Sequence, residues 1–352
     1  MWMLYGATGY TGTLTAELAK ARGLTPVLAG RNYSKLAPLA ERLGLELRVF
    51  DLDDPEHVRR ELHGFRAVLH MAGPFRTTSA PLVDACLRTR SHYLDITGEF
   101  AVFEAIWPRH ADAVQAGVVL LPGVGFDVVP TDCLAALLQR ALPDATELEL
   151  AFATLGTRPS PGTVNTWLDT LARQSLVRVQ GAIVSEPLGA RARQVPFPTG
   201  NRHAVAVPLA DLSSAYRSTG IPSITTYLAT PRPALPALRG LAALRPVFAS
   251  ARVERYLKRW VERAVTGPNA SVRARSRAEL WGEARNAAGQ RTELTLTTGD
   301  PYAFTADAAL RCLESVLSGR VAPGASSPAQ ALGGDFVSEC AGVTLGPLEA
   351  PG

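Results

Sequence analysis

Apolar positions along this chain fall into short continuous runs separated by amphipathic stretches, and the alternation predicts strands and helices in turn. Residues 1–5 are a buried-strand run; residues 13–22 then place Leu14 and Leu18 on one helical face, and residues 25–29 are a second apolar run. Further strands are predicted over 45–50, 67–71, 92–96 and 118–121, with helices over 80–89, 101–116 and 133–142. Strand alternating with helix in this way predicts a doubly wound parallel α/β sheet of Rossmann type. Beyond residue 145 the pattern changes. Residues 148–155 alternate loosely, a helix is predicted from Ser160-Pro161-Gly162-Thr163 to about residue 177, and 271–283 and 291–297 read as an antiparallel pair around Asn286-Ala287-Ala288-Gly289. A last amphipathic helix is predicted over 306–317.

The first strand runs straight into Gly6-Ala7-Thr8-Gly9-Tyr10-Thr11-Gly12. Glycines here allow a tight exit from the strand, backbone approach to a diphosphate and close packing of the next helix, while N–H groups at a helix start and nearby hydroxyls suit an anion. At the end of the second strand stands Arg31, where an NAD enzyme usually carries Asp or Glu. A guanidinium grips a 2′-phosphate through two parallel hydrogen bonds, and Asn32 and Ser34 add neutral donors, so the expected cofactor is NADP(H). Asp51 is placed to meet the adenine edge, whereas Asp53 or Asp54 before Pro55 suits a helix start. The loop Ala72-Gly73-Pro74-Phe75 leaves a central strand and is expected to pass beneath the nicotinamide half.

The chain has 352 residues, long for one core, so two domains are expected: residues 1–143 for the cofactor, with 318–352 packing back on it, and 144–317 for substrate or dimerisation. Hydrophobic residues at 47% and charged residues at 19% argue against disorder. The net charge of +4 is dispersed and almost wholly arginine, with no block suggesting a nucleic-acid tail. Cys86, Cys133, Cys312 and Cys340 lie far apart in apolar stretches, so small core residues in a reducing compartment are expected and a metal site is not. Residues 1–5 leave no room for a signal peptide, and no stretch is apolar enough to span a bilayer; the expected location is the cytoplasm.

Candidate catalytic groups are Asp95, Glu99, Asp127 and Tyr302. Asp95 and Glu99 bracket a strand end, where they either bind substrate and pass protons or serve structure, Glu99 as a cap on the next helix and Asp95 as an acceptor for a neighbouring loop. Asp127 sits in the rigid segment Pro122–Asp132, with Thr131 or Asp132 suited to capping the helix that follows. His203 is a weaker candidate. No tyrosine is followed four residues later by lysine, which excludes the short-chain dehydrogenase mechanism, and no G-x-S-x-G turn supports hydrolysis.

The glycine turn, Ala29-Gly30-Arg31, Ala72-Gly73-Pro74-Phe75, Tyr93-Leu94-Asp95-Ile96-Thr97-Gly98-Glu99 and Pro122-Gly123-Val124-Gly125-Phe126-Asp127-Val128-Val129-Pro130 together resemble the saccharopine dehydrogenase-like oxidoreductases, a group that includes the trans-acting enoyl reductases. Asp300-Pro301-Tyr302 and residues 328–336 extend the likeness to the carboxyl end. The resemblance implies a Rossmann domain bound to NADP, a second α+β domain made partly of antiparallel strands, and a cleft between them. It implies hydride transfer to a small or carrier-linked substrate, enoyl or imine. A catalytically silent NADPH-binding regulator is the alternative.

The stretch 232–260 alternates arginines with large apolar residues. Such a basic amphipathic face suits an anionic membrane or an acidic carrier protein, and equally an ordinary solvated helix; a homodimer is a further expected assembly.

Overall fold

The computed structural model describes residues 1–171, 174–232, 240 and 250–349, and the chain divides into two units. The first comprises residues 1–129 and 302–336. Its strands are β1 (Trp2–Tyr5), β2 (Val27–Gly30), β3 (Leu47–Val49), β4 (Ala67–His70), β5 (His92–Asp95) and β6 (Val119–Leu121), joined by helices α1 (Tyr10–Ala21), α2 (Tyr33–Leu43), α3 (Pro55–Leu62), α4 (Phe75–Thr89), α5 (Phe100–Ile106) and α6 (His110–Ala116). The sheet order is β6-β5-β4-β1-β2-β3, and Gly324–Ala325 adds a seventh strand beside β6; every pairing is parallel. β1, β2 and β4 are buried along their whole length, the condition of a parallel sheet covered on both faces.

The helix expected over 306–317 spans Pro301–Leu317, and three further helices of this unit differ in extent from the sequence-based expectation, each for a local reason. α1 begins at Tyr10, three residues early, because the glycine turn itself closes into the helix: Thr13 N–H donates to Gly9 O at 2.8 Å. α4 begins at Phe75 with Pro81 inside it, although a proline normally marks a helix start. Between α5 and α6 the expected single helix breaks at a 3-10 turn, Trp107–Arg109, which contains Pro108. The Asp54 cap with Pro55 in the first turn is as expected: Asp54 accepts from Glu56 N–H at 3.0 Å.

The second unit comprises residues 130–301 and 337–352. It carries α7 (Val129–Ala141), β7 (Ala145–Leu155), α8 (Pro161–Leu171), β8 (Ser175–Val179), β9 (Ala182–Glu186), β10 (Ala192–Phe197), β11 (Gly200–Ala206), α9 (Asp211–Thr219), β12 (Ser223–Ala229), α10 (Ala251–Ala264), β13 (Arg277–Asn286) and β14 (Arg291–Thr298). The sheet is mixed, in the order β10-β11-β12-β7-β13-β14 with Thr344–Leu345 at one edge, and only β12–β7 is parallel. The helix expected to run to residue 177 is described over Pro161–Leu171, and Val177 instead is buried in β8. Asp132 lies inside α7 rather than capping it and accepts from the Ser218 hydroxyl at 2.8 Å.

The two faces of this sheet are filled differently. On one face α7 presses against Gly282, where a Cβ would come within 2.7 Å of Leu138 Cδ1. On the other, Trp281 is fully buried with Ala151, Val195, Phe197, Ala204 and Tyr227. The indole N–H donates to Glu293 Oε2 at 2.9 Å, so the ring's one polar atom is satisfied.

Candidate functional site

The site is built at the carboxyl ends of the parallel strands in the first unit. Gly6 follows β1 at φ +85°, and a Cβ there would lie 2.6 Å from Ala72 N, so only glycine lets the turn pass the β4 loop. A Cβ on Gly12 would meet Gly6 O at 2.2 Å; this glycine lets α1 fold onto the turn itself. Gly9 differs. It is exposed, its backbone is extended, and a Cβ would lie 3.3 Å from Gly6 O and 3.8 Å from Met71 O. α1 has no side-chain cap and no acidic residue in its first turn. The Gly6, Ala7 and Gly9 N–H groups donate to Ala29 O, Ala29 O and Gly6 O, which shapes the turn, and what it presents is a helix N-terminus with no capping side chain, the polarity that a diphosphate requires. The residues present therefore fit a dinucleotide. Ala7 is buried in the turn, while Thr8 and Thr11 are half-buried at it.

Arg31 is exposed at the end of β2 and makes no ion pair among the described residues, leaving its guanidinium available. Asn32 caps α2, accepting from Lys35 N–H at 3.2 Å, and Ser34 donates to the same oxygen at 2.8 Å. Their first duty is thus to shape the α2 start beside Arg31. Asp51 is exposed and turns the chain after β3, accepting from Asp53 N–H at 3.2 Å. Between these elements, the Tyr5 hydroxyl donates to Phe50 O at 3.3 Å.

The four candidate catalytic residues separate by environment. Glu99 accepts from Phe75 N–H at 2.8 Å and Arg76 N–H at 3.2 Å, so it caps α4, the preceding helix, rather than the one after it. That grip also fixes the Ala72–Phe75 loop, in which Gly73–Pro74 is cis. Asp95 is fully buried: Oδ1 accepts from Thr97 N–H at 3.0 Å and Gly123 N–H at 2.9 Å, and Oδ2 lies 2.7 Å from the Tyr93 hydroxyl. Burial raises its carboxyl to about 6, despite the N–H groups aimed at it.

Asp127 is the exposed member. Its side chain rests over Gly98, where a Cβ would come within 2.9 Å, so β5's exit leaves space for it. Surrounding protein raises its carboxyl to about 6, while contact with solvent works against so large a shift. The loop beneath is rigid, with Phe126 N–H donating to the Thr305 hydroxyl at 3.0 Å and Phe126 stacked edge-on against Phe304. Tyr302 is half-buried in the first turn of the helix Pro301–Leu317 and packs edge-on to Tyr10, ring centroids 4.8 Å apart. His203 lies on β11 in the other unit.

Sequence reading passed over two residues here. His70 and Tyr93 end or enter their strands among apolar neighbours and look like core, yet Tyr93 and Asp95, two apart on β5, share a face, and parallel pairing sets His70 opposite Asp95. That spacing was the available signal.

Residues 2–121 match the family model described as the saccharopine dehydrogenase NADP binding domain. Among curated proteins, a trans-acting enoyl reductase of Mycobacterium leprae is 35% identical over 153 residues, 41% of this chain and 37% of the relative, and one of Mycobacterium ulcerans is 29% identical over 199 residues, 53% and 48%. The matched stretch is thus under half the length of these relatives. The fold is that of apo saccharopine dehydrogenase (L-Glu forming) from Saccharomyces cerevisiae, at TM-score 0.68 and 13% identity over 98% of this chain and 99% of that one. The homospermidine synthase of Legionella pneumophila, solved with NAD, follows at TM-score 0.64 and 12% identity, covering 96% and 88%. Residues 2–121 thus resemble a saccharopine dehydrogenase NADP binding domain, and the fold is shared with saccharopine dehydrogenase.

Proposed function

We propose that this protein is an NADP-dependent oxidoreductase that delivers hydride to an enoyl or imine carbon of a small or carrier-linked substrate. The observation that carries the reading is the glycine turn that ends in the uncapped N-terminus of α1, with the Arg31 guanidinium free of ion pairs at the neighbouring strand end, within a domain matched to an NADP-binding family. The cofactor, when bound, supplies the hydride. The protein's part is positioning: the uncapped N-terminal turn of α1 holds the diphosphate, Arg31 grips the 2′-phosphate, and the Ala72–Phe75 loop, clamped by Glu99, supports the nicotinamide half. Asp95 and Glu99 are committed to internal hydrogen bonds, so the reading gives proton donation to Asp127 or Tyr302. The same commitment of two acidic candidates favours the second reading, a silent NADPH-binding regulator.

The names of the curated relatives support an enoyl substrate borne by a partner. Residues 232–260 contain seven basic residues and one acidic one. Of that stretch, 233–239 and 241–249 lie outside the described residues. In the part described, α10 packs on α8, and Tyr256, Trp260 and Trp167 expose 70%, 55% and 47% of their surfaces. Exposed aromatic rings on a segment whose sequence is this basic support docking of an acidic carrier protein.

The test is NADPH fluorescence with and without a carrier-linked enoyl thioester or a cyclic imine. Oxidation of NADPH by either substrate supports the enzyme; tight binding with no turnover across both favours the regulator. Gly9→Val adds a Cβ that meets Gly6 O at 3.3 Å and Met71 O at 3.8 Å, a milder intrusion than at Gly6 or Gly12, and fills the turn, so it should abolish binding.

A further inference from the structure

Beneath the cofactor loop lies a chain of three buried polar side chains whose hydrogen-bond directions do not close with the ordinary number of protons. His70 Nε2 is 3.1 Å from Ala72 O, His70 Nδ1 is 2.9 Å from the Tyr93 hydroxyl, and that hydroxyl is 2.7 Å from Asp95 Oδ2. All three residues are fully buried. Ala72 O can only accept, so Nε2 must carry a hydrogen. Tyr93 has one hydrogen and two neighbours. With His70 neutral and Asp95 ionised, that hydrogen satisfies one neighbour and leaves lone pairs facing each other at the second contact, a mismatch that burial makes costly.

Two arrangements satisfy every contact, and both contain one proton more. In the first, Asp95 is a neutral acid donating to Tyr93, Tyr93 donates to Nδ1, and Nε2–H donates to Ala72 O. In the second, an imidazolium donates to Ala72 O and to Tyr93, which donates to a carboxylate. Moving two protons, Asp95 to Tyr93 and Tyr93 to His70, interconverts them without changing the total. The second separates two charges in a site without water contact, whereas the first buries none. We propose that His70, Tyr93 and Asp95 form a proton-holding relay, with Asp95 as the neutral acid at neutral pH, and that the relay acts as a positioning device for the Ala72 loop.

Other groups around the relay push the same way. Glu99, beyond β5, disfavours a second negative charge on Asp95; Cys86 of α4 stands near Tyr93; and from β1 the Tyr5 ring lies 5.9 Å from that of His70. Burial lowers His70 to about 3, which keeps the imidazole neutral, and lifts Asp95 to about 6 even with the Tyr93 hydroxyl donating to it. Reversing that hydrogen bond, so that the acid donates, lifts it further. Oδ1 already takes the Thr97 and Gly123 N–H groups, so Oδ2 is the oxygen free to carry the proton. The relay ends on Ala72 O, which also accepts from the Thr78 hydroxyl at 2.7 Å and is thereby tied to α4.

The loop-setting role rests on the proposed cofactor reading; the proton does not. In the intact chain at pH 7, the infrared difference between wild type and Asp95→Asn should show the carbonyl stretch of a protonated carboxylic acid in the wild type, and ¹⁵N chemical shifts should show His70 neutral with hydrogen on Nε2. A carboxylate band in that difference, or a His70 imidazolium, overturns the proposal. Asparagine reproduces the acid, its oxygen accepting both N–H groups and its NH₂ donating to Tyr93. Asp95→Asn should therefore hold NADPH within about twofold of wild type from pH 6 to 9, whereas Tyr93→Phe, which cuts the relay, should weaken it about tenfold. Wild-type affinity should decline as rising pH ionises Asp95, and that decline should vanish in Asp95→Asn. Equal weakening by Asp95→Asn and Tyr93→Phe overturns the relay. Absence of NADPH binding in wild type overturns the cofactor reading instead, while the infrared band still decides the proton.

Discussion

In the parallel sheet, β1, β2 and β4 are buried from end to end and the polar side chains gather at the carboxyl tips, whereas in the mixed sheet charge runs along the strands themselves. There Glu279 and Glu283, 1% and 2% exposed, lie under Arg277, Arg285 and Arg291. Helices on both faces of a parallel sheet leave polar groups only the ends of the strands, and those ends are where a ligand can be met. An antiparallel face can instead bury carboxylates under the stems of arginines whose heads reach water. Chemistry in the first unit is therefore focused at one edge. In the second, the polar groups are chiefly part of the packing.

The largest effect should test the packing side of that contrast. Trp281→Ala removes the ring about which the mixed sheet's inner cluster is assembled and should cost about 3–5 kcal/mol in denaturant unfolding. A loss below about 1 kcal/mol would show that the charged face, not the ring, holds the sheet. Next, Gly12→Ala drives a methyl into Gly6 O and should destabilise the first unit by about 1–3 kcal/mol while also removing NADPH binding. Binding retained alongside lost stability would uncouple the turn from the fold.

Arg31→Asp touches no internal contact, so stability should hold while NADPH binding weakens by about 2 kcal/mol and NADH binding changes little. Equal weakening of both cofactors would end its assignment to the 2′-phosphate. Smallest, Glu99→Gln keeps one accepting oxygen but loses the charge at the α4 start and should cost about 1 kcal/mol or less by thermal unfolding.

The parallel sheet was legible because each of its signals is local: an apolar run, a glycine turn, an arginine at a strand end. The Asp54–Pro55 helix start was readable for the same reason. What was not legible depends on partners distant in sequence. Nothing near Pro81 discloses that Glu99 caps α4 from 24 residues away, so the helix looked as if it began at the proline. Val177 continues an apolar helical rhythm, but β8 has β9 and β12 to pair with, and pairing overrides rhythm. The candidate acids show the same limit. Asp95, Glu99 and Asp127 were each visible, but which were consumed by neighbouring backbone depended on Gly123, Phe75 and Arg76, residues brought in by the fold.

Glu99's grip on α4 has one more consequence, for the order in which amide hydrogens are lost to solvent. Phe75 and Arg76 N–H are held not by their own helix but by a carboxylate lying beyond β5. They should exchange in step with separation of β4 from β5, not with fraying of α4, so that the helix's first turn reports on the integrity of the sheet's centre.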